Sequence, residues 1–195
     1  MESGELLTLL KETGAILEGH FLLTSGRHSD VYIEKFRILE NPRALDDVCR
    51  GMAKVVKNEN VDLVLGAAIG GILISGGVGR HLGVKHIFCE RVNGRMKLRR
   101  GFFITKDQRI VIVEDIITTG GSVMELIELA GEQGAEIVHV VNLVDRSSGD
   151  VDFGVPSTAI LTIPSESWEP ENCALCKQGM EITQRGRTGK KMETV

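Results

Sequence analysis

The sequence of 195 residues lacks any run of the roughly 20 apolar residues that a membrane-spanning helix needs. Its N-terminus, MESGELLTLLKETG, lacks the basic start and the apolar core of a signal peptide. The net charge of −4 also lacks the basic excess of a general nucleic-acid-binding surface. We therefore expect a cytoplasmic protein whose partners include neither a membrane nor a nucleic acid.

Cysteine is scarce, with four residues in the chain. Cys49 lies on the apolar side of a predicted helix and Cys89 ends an apolar run, so both are interpreted as buried small hydrophobic residues. Cys173 and Cys176 form a CxxC pair, which is half of a zinc site. Because the neighbouring sequence holds neither a second CxxC nor a histidine pair, a reduced thiol pair is favoured, with a metal or redox role as the alternative.

The composition, 42% hydrophobic and 26% charged, is typical of one soluble globular domain. From residue 61 onward, short apolar runs alternate with helix-like segments. This alternation predicts an α/β fold whose central parallel sheet is flanked by helices and buried on both faces, with ligands beyond the carboxyl ends of its strands. The predicted strands are 61–65, 86–89, 110–113, 137–144 and 158–163, and the predicted helices are 70–82 and 121–133.

The chain outside this alternation has a different pattern. Residues 3–13 predict a helix, 15–35 predict a hairpin, and Asn41 followed by Pro42 predicts the start of a second helix, with asparagine as the N-cap. Residues 165–195 are weakly patterned and predict a partly mobile tail.

The run RIVIVEDIITTGGSV (residues 109–123) carries the most information in the chain. A buried strand ends in Glu114 and Asp115, and a loop rich in glycine and hydroxyl groups then opens into a helix. Oriented backbone N–H groups and the helix dipole make such a loop an anion site. Adjacent carboxylates make sense there if the ligand also carries sugar hydroxyls or a metal-bound polyphosphate. The alternative is a plain strand-to-helix turn that threonine and serine cap.

This run resembles the 5-phosphoribosyl 1-diphosphate (PRPP) signature of the type I phosphoribosyltransferases. The resemblance implies that fold and a catalytic role for Glu114 and Asp115, which would hold the ribose hydroxyls. It implies Mg²⁺ as the cofactor, held mainly through PRPP and without a direct protein ligand. The PRPP-binding residues it implies in this loop are Glu114, Asp115, Ile116, Ile117, Thr118, Thr119, Gly120, Gly121 and Ser122.

The predicted N-terminal hairpin carries a second matching stretch, TSGRHSDVYIEK (residues 24–35). Orotate phosphoribosyltransferases have a similar SGxxS…Y stretch in an N-terminal hood over the base, and it is matched by Ser25, Gly26, Ser29 and Tyr32. The resemblance implies that Ser25 and Gly26 contact orotate and that the chain divides into a hood (1–40), a PRPP-binding core (41–165) and a C-terminal extension (166–195). Thr24 stands where many relatives have lysine. The alternative is an ordinary polar hairpin.

Two further segments fall where the family binds the diphosphate. GAAIGGI (residues 66–72) matches the pyrophosphate loop, with Gly70 where many relatives have lysine; tight helix–sheet packing is the alternative. ERVNGRMKLRR (residues 90–100) matches a mobile basic lid that reaches into the neighbouring site of a homodimer, the alternative being a solvated face. The resemblance implies PRPP contacts for Arg91 and Lys97 and a catalytic role for Lys97, and the roles of Arg95 and Arg99 stay open.

Arg146 follows a predicted core strand within an Asp-Arg pair. In the orotate enzymes an arginine here contacts the base, together with Thr118 in this numbering, and a guanidinium suits the orotate carboxylate. A structural pair with Asp145 is the alternative. The sequence thus predicts transfer of phosphoribose to orotate. The alternatives are an enzyme for adenine, hypoxanthine or uracil, and a non-catalytic PRPP-sensing regulator, although the first forty residues show no convincing helix-turn-helix.

Overall fold

The computed structural model describes residues 3–23, 25–147, 149, 151–163 and 167–185. Two sheets organise these residues, and helices cover the larger sheet. The strands are β1 Ile16–Leu22, β2 His28–Ile33, β3 Leu63–Ala67, β4 Lys85–Val92, β5 Arg95–Leu98, β6 Arg109–Ile117, β7 Glu136–Asp145, β8 Ser157–Thr162, β9 Ser167–Trp168 and β10 Thr183–Gln184. The helices are α1 Ser3–Glu12, α2 Phe36–Leu39, α3 Pro42–Val56, α4 Gly70–Leu82, α5 Gly121–Glu132 and α6 Ala174–Lys177, with a 3₁₀ turn at Pro170–Asn172.

The larger sheet has the strand order β5-β4-β3-β6-β7-β8 and is parallel except for the edge strand β5. Its central strand β6 alternates between two cores. Val111 and Val113 pack with one cluster, which includes α3 and α4, while Ile110 and Ile112 pack with the other, which includes α5. Successive side chains of the strand thus point to opposite faces of the sheet, and both faces are buried under helices. The predicted α/β parallel-sheet fold is confirmed.

The helices that flank this sheet begin where the sequence predicts. Asn41 caps α3, since its Oδ1 accepts hydrogen bonds from the backbone N–H groups of Arg43 and Ala44 at 3.1 Å each. Helix α4 packs closely on its neighbours because it is rich in glycine. A Cβ at Gly77 of α4 would lie 2.3 Å from Sγ of Cys49 in α3. The Cys49 side chain therefore packs directly against the backbone of α4.

The smaller sheet is assembled from both ends of the described chain, in the order β10-β1-β2-β9. Strands β1 and β2 form the predicted N-terminal hairpin. Strands β9 and β10 come from the segment predicted to be a weakly patterned, partly mobile tail, and this segment also forms α6 and a 3₁₀ turn. Neither strand could be predicted, because each has only two residues, too few for a hydrophobic period. Residues 186–195 of the predicted tail lie outside the described residues. The same is true of Thr24, the position where many relatives have lysine.

Residues 90–100 form a hairpin arm instead of the predicted loop. Strand β4 runs on to Val92 and pairs antiparallel with β5 across a turn at Asn93 and Gly94, whose φ angles are 51° and 81°. Asn-Gly is the sequence best suited to a two-residue turn with positive φ at both positions, and the alternating basic residues masked the strand character. Among the described residues, no helix is both long and apolar enough to span a lipid bilayer.

Candidate functional site

A cavity of about 200 Å³ opens at the carboxyl ends of β3 and β6. This is the edge where parallel sheets place their ligands. The cavity joins the predicted pyrophosphate loop to the predicted PRPP loop. Its lining residues are Lys35, Ala67, Ala68, Ile69, Gly70, Glu114, Asp115, Ile116, Ile117, Thr118, Thr119, Gly120, Gly121, Ser122 and Val123.

The two adjacent acids lie at the floor of this cavity and are nearly buried, with 8% of Glu114 and 3% of Asp115 exposed. Strand β6 continues through them to Ile117, because its backbone stays paired with β7 as far as Asp145, and each carboxylate has a local hydrogen-bond partner. Oε1 of Glu114 accepts from the N–H of Asp115 at 3.0 Å, and Oδ1 of Asp115 accepts from the N–H of Ile116 at 2.7 Å. Burial, and next the charge of Asp115, raise the pKa of Glu114 above its ordinary value.

Lys35 supplies a cation that the sequence analysis did not assign to the site. Its Nζ lies 2.7 Å from Oδ2 of Asp115, and its side chain is about one-third exposed. Lys35 follows the last residue of the hairpin by two positions, so the hairpin delivers it across the cavity. The sequence feature that could have identified Lys35 is its position at the end of the TSGRHSDVYIEK stretch, just after strand β2 ends.

Gly70, at the start of α4, lies against the carboxylate of Asp115. A Cβ there would lie 1.5 Å from Oδ2 of Asp115, so the carboxylate occupies the space that a side chain would need. The neighbouring loop is equally tight, since a Cβ at Gly66 would lie 2.4 Å from the carbonyl oxygen of Gly71. The close contacts of these glycines fit both interpretations of the loop, tight helix–sheet packing and close approach of the backbone to a ligand.

The opposite wall of the cavity is the loop before α5. Gly120 caps that helix in the left-handed region, with φ of 74°, and a Cβ there would lie 2.6 Å from Val151. The first residues of α5 line the cavity, and the N–H groups of the first helical turn have no partner within a helix. A guanidinium nitrogen of Arg91 lies 3.5 Å from Oγ of Ser122, and Arg91 also pairs with Glu125 at 2.8 Å.

A second cavity, of about 530 Å³, adjoins the first beneath the hairpin. The two cavities share part of their walls, so a ligand of two parts can occupy both. The shared lining residues are Lys35, Ile116, Thr118 and Thr119, and the second cavity is further lined by Leu23, Ser25, Arg27, Tyr32, Ile33, Glu34, Phe36, Arg146 and Ser167.

Arg146 is a half-buried cation of this second cavity, which Lys35 and Arg27 also line. One of its guanidinium nitrogens lies 3.4 Å from Oγ of Ser29 and 3.3 Å from the carbonyl oxygen of Val31, which anchors it to β2. Burial lowers its pKa, and the charge of Asp30 opposes that shift. The guanidinium remains protonated, because arginine is not deprotonated in proteins. The nearby Asp145 carboxylate accepts from the N–H and hydroxyl of Ser147 at 2.7 and 2.6 Å.

The hairpin residues divide between lining and support. Ser25 and Tyr32 line the second cavity, and burial raises the pKa of the Tyr32 hydroxyl. Gly26 forms the adjacent turn with φ of 86°, and its N–H donates to the carbonyl of Leu23 at 2.9 Å. Ser29 is fully buried and lies behind Arg146, not on the cavity wall.

Lys97 is not brought to either cavity of its own chain. It lies on β5 in a separate groove, together with Arg95 and Phe102. Two other basic residues of the arm are paired, Arg91 with Glu125 and Arg100 with Glu90. The catalytic and PRPP-binding roles expected of Lys97 therefore require the arm to move or to serve a second chain.

Two lining residues of the second cavity were not assigned to the site from the sequence. Arg27 on the hairpin donates to Oγ of Ser167 at 3.0 Å and pairs with Glu169. Ser167 belongs to β9, so the C-terminal segment forms part of the cavity wall. Arg27 occupies a variable position of the SGxxS stretch and no local motif marks Ser167, so only their contact in the fold identifies them.

Known proteins resemble the chain over almost all of its length. Residues 36–153 match the family model described as the phosphoribosyl transferase domain. The chain is 46% identical over 183 residues to the orotate phosphoribosyltransferase of Thermotoga maritima, covering 94% of this chain and 98% of that protein. The chain belongs to the orotate phosphoribosyltransferase family. The type I phosphoribosyltransferase family predicted from the 110–122 run is thereby confirmed, and so is its orotate branch, which was predicted from the hairpin stretch and Arg146 together.

Two further members of this family extend the likeness. The orotate phosphoribosyltransferase of Caldicellulosiruptor bescii is 43% identical over 186 residues, with 95% of this chain and 98% of that protein covered. The crystal structure of the orotate phosphoribosyltransferase from Aeropyrum pernix superposes with a TM-score of 0.71 at 26% identity, covering 81% of this chain and 93% of that one. The type I phosphoribosyltransferase fold is confirmed by this structural match.

Proposed function

We propose that this chain is an orotate phosphoribosyltransferase of pyrimidine biosynthesis. It transfers the 5-phosphoribosyl group of PRPP to orotate and releases orotidine 5′-monophosphate and pyrophosphate. The observation that carries the choice of base is the position of Arg146, a half-buried guanidinium on the wall of the cavity that adjoins the PRPP loop. Orotate is a base with a carboxylate, which a guanidinium binds through paired hydrogen bonds.

The smaller cavity suits the phosphoribosyl part of PRPP. Its loop of backbone N–H groups and hydroxyls, residues 118–122, would hold the 5′-phosphate at the start of α5. Glu114 and Asp115 would accept hydrogen bonds from the ribose hydroxyls. Since both carboxylates are buried, their interaction with a positive charge on the ribose is weakly screened by water.

The reaction is a substitution at C1 of the ribose. The bond from C1 to the diphosphate oxygen breaks, the electron pair leaves with pyrophosphate, and N1 of the orotate anion forms the new bond. With departure running ahead of attack, positive charge develops at C1, and Asp115 stabilises it. The orotate anion needs no strong general base.

Lys35 and Arg91 are the cations of this chain that lie beside the anion site. Lys35 forms its ion pair at the edge shared by the two cavities, and Arg91 lies beside Ser122. PRPP hydroxyls that bind Asp115 would replace part of the Lys35 pair and free its ammonium group for the diphosphate. Developing charge on the leaving group is then neutralised without the lysine that relatives carry at position 70.

The donors present also fit Mg²⁺ bound through the substrate. Mg²⁺ prefers oxygen ligands and keeps several waters, and the cavity offers carboxylate oxygens of Glu114 and Asp115 while Lys35 already neutralises one of them. These residues would hold the ion through ribose hydroxyls and waters instead of in a protein cage. When bound, Mg²⁺ lowers the charge of the diphosphate and improves it as a leaving group.

The hairpin arm, residues 90–100, leads us to propose a homodimer. Lys97 lies away from both cavities of its own chain, so the arm would contribute Lys97 and its neighbours to the site of a second subunit. Sedimentation of the purified chain should therefore give the mass of a dimer. A monomer with full activity would contradict this proposal. A cytoplasmic location stays a prediction.

An orotate-consumption assay tests the proposed activity. The purified chain is mixed with PRPP and Mg²⁺, and the absorbance of orotate is followed, with adenine and uracil as parallel substrates. We expect orotate to disappear only when PRPP and Mg²⁺ are both present. Turnover of adenine or uracil with none of orotate would overturn the proposal.

A further inference from the structure

Four side chains with metal-binding atoms converge in the smaller sheet and its C-terminal cover. They are His20 on β1, His28 on β2, Cys173 before α6, and Cys176 within α6. Their ligand atoms all lie within 4.8 Å of one another. None of the four lines the two cavities described above, so the proposed transferase reaction leaves the cluster unexplained.

The spacing of these atoms fits the edges of a tetrahedron around one zinc ion. Zinc bonds of about 2.0–2.1 Å to nitrogen and 2.3 Å to sulfur give edges of roughly 3.3–3.8 Å. Nε2 of His20 lies 3.0 Å from Nδ1 of His28, 3.4 Å from Sγ of Cys173 and 3.8 Å from Sγ of Cys176. Sγ of Cys176 lies 3.3 Å from Nδ1 of His28.

Hydrogen bonds behind the cluster orient its lone pairs inward. Nδ1 of His20 lies 2.8 Å from the carbonyl oxygen of Met180, which can only accept, so this nitrogen carries the proton. In neutral His20 the free lone pair is then on Nε2, the atom aimed at the other three groups. A carbonyl behind a ligating histidine fixes its tautomer in this way. The N–H of Cys176 points at Sγ of Cys173 at 3.5 Å and would stabilise a thiolate there.

Burial makes a cluster of this kind unusual unless it has a ligand. His20 is 2% exposed, His28 is 5% exposed and Cys173 is fully buried, while Cys176 reaches the surface and gives an entry path. Two sulfurs and two imidazole nitrogens in tetrahedral array are the donor set of structural zinc sites. The CxxC pair lacked its other half in the sequence only because the histidines precede it by about 150 residues.

We propose that His20, His28, Cys173 and Cys176 form a structural zinc site that fastens the C-terminal segment 167–185 onto the hairpin. Zinc would join β1, β2 and α6 at one point, between the two-residue strands β9 and β10 that otherwise hold the segment. The segment carries Ser167, which lines the second cavity. The metal would therefore stabilise part of the wall of the base pocket without taking part in the reaction.

Metal content of the full-length chain is the first test. The protein, kept reduced, is incubated with Zn²⁺, desalted and analysed by plasma mass spectrometry, and a second sample is loaded with Co²⁺. We expect about one zinc per chain, and for Co²⁺ the visible bands of a tetrahedral site with thiolate ligands. Metal below stoichiometry after desalting, or octahedral Co²⁺ without thiolate bands, would overturn the proposal. This test needs no variant and no activity.

Cys176→Ala and Lys177→Ala form a matched pair for the second test. Both positions are exposed on α6, so neither change removes core packing. We expect Cys176→Ala to lose stoichiometric zinc and to melt at the same temperature with or without a chelator. Lys177→Ala should keep its zinc and melt lower when a chelator is added. Full zinc occupancy in Cys176→Ala would contradict the ligand assignment.

Hydrogen exchange tests the fastening role separately. Removal of zinc from the wild-type chain should speed amide exchange in residues 167–185 and in β1 and β2, and leave the buried strand β6 unchanged. Exchange in residues 167–185 that is unaffected by zinc would overturn the fastening role. A disulfide between Cys173 and Cys176 in the reduced preparation, detected by mass, would equally contradict the site.

Discussion

The loop proposed to bind phosphate and the pocket proposed to receive the base are built in contrasting ways. The phosphate loop is one continuous run, from Glu114 to Ser122, between a buried strand and a helix. The base pocket gathers Ser25, Arg146 and Ser167 from three distant parts of the chain. Backbone groups dominate the first region and side chains the second. A shared phosphoribosyl donor can thus be read by a local motif, whereas the choice of base depends on tertiary contacts.

Charge is also arranged differently in the two regions. The phosphate loop has two buried carboxylates at its floor, offset by Lys35 at its edge. The base pocket has a half-buried guanidinium that serine and backbone oxygens anchor. We therefore expect substitutions in the first region to change kcat and the KM for PRPP, and substitutions in the second to change the KM for the base.

Asp115→Asn should have the largest effect on turnover. Loss of its charge removes stabilisation of the ribose cation, and kcat should fall at least ~10-fold, as for other groups that act on transition-state charge. Asp107→Asn, on an exposed loop, is the matched control and should be near wild type. Steady-state kinetics with saturating substrates measures both. Near-normal turnover of Asp115→Asn would show that the first region is not the reaction centre.

Arg146→Ala should act on the base alone. A hydrogen bond to a charged partner contributes about 1.5–3 kcal/mol, so the KM for orotate should rise ~10-fold or more while that for PRPP changes little. Arg37→Ala removes an exposed arginine paired with Glu40 and serves as the control. Equal increases for both substrates would remove Arg146 from the base pocket and weaken the contrast between the two regions.

Gly70→Ala should disturb the phosphate site through sterics. The new methyl group would overlap Oδ2 of Asp115 and push that carboxylate from Lys35, so kcat should drop several-fold. Gly131→Ala lies in α5 with nothing within 4 Å of its Cβ, and should stabilise the fold by about 0.5 kcal/mol. Kinetics and thermal melts of both variants separate the two effects. Wild-type kcat in Gly70→Ala would show that the carboxylate can move without cost.

Glu114→Gln should change how stability depends on pH. Because the native pKa of Glu114 is raised, the folded state binds more protons than the unfolded state between pH ~4.3 and that raised value, and wild-type stability is lost as pH rises through this window. Gln keeps the hydrogen-bond acceptor without a charge. The variant should therefore gain on the order of 1–2 kcal/mol relative to wild type toward alkaline pH. If the melting temperatures of the variant and of wild type change in parallel from pH 5 to 8, the raised pKa of Glu114 is contradicted.

The sequence was sufficient for features that are local in the chain. The alternating strand 110–113, the N-cap at Asn41 and the limits of α4 all follow from neighbouring residues, and the PRPP motif is itself contiguous. These features persist in the structure because propensity, capping and burial favour the same conformation.

Features that depend on distant residues were missed. Lys35 reaches Asp115 across eighty residues, and β9 and β10 are too short to have a period of their own. The histidine partners of the CxxC pair lie at the other end of the chain. The basic arm was mistaken for a loop because its exposed charges hid a strand that gains its pairing from β4.

The most direct test of the contrast is the ratio of kcat/KM for orotate to that for uracil, measured in wild type and in Arg146→Ala. The two bases differ by the carboxylate that Arg146 is proposed to bind. We predict a strong preference for orotate in wild type, of the order of 10⁴-fold as for sites that bind a polar group the competitor lacks, and a preference at least ~10-fold smaller in the variant. An unchanged ratio in Arg146→Ala would contradict the account.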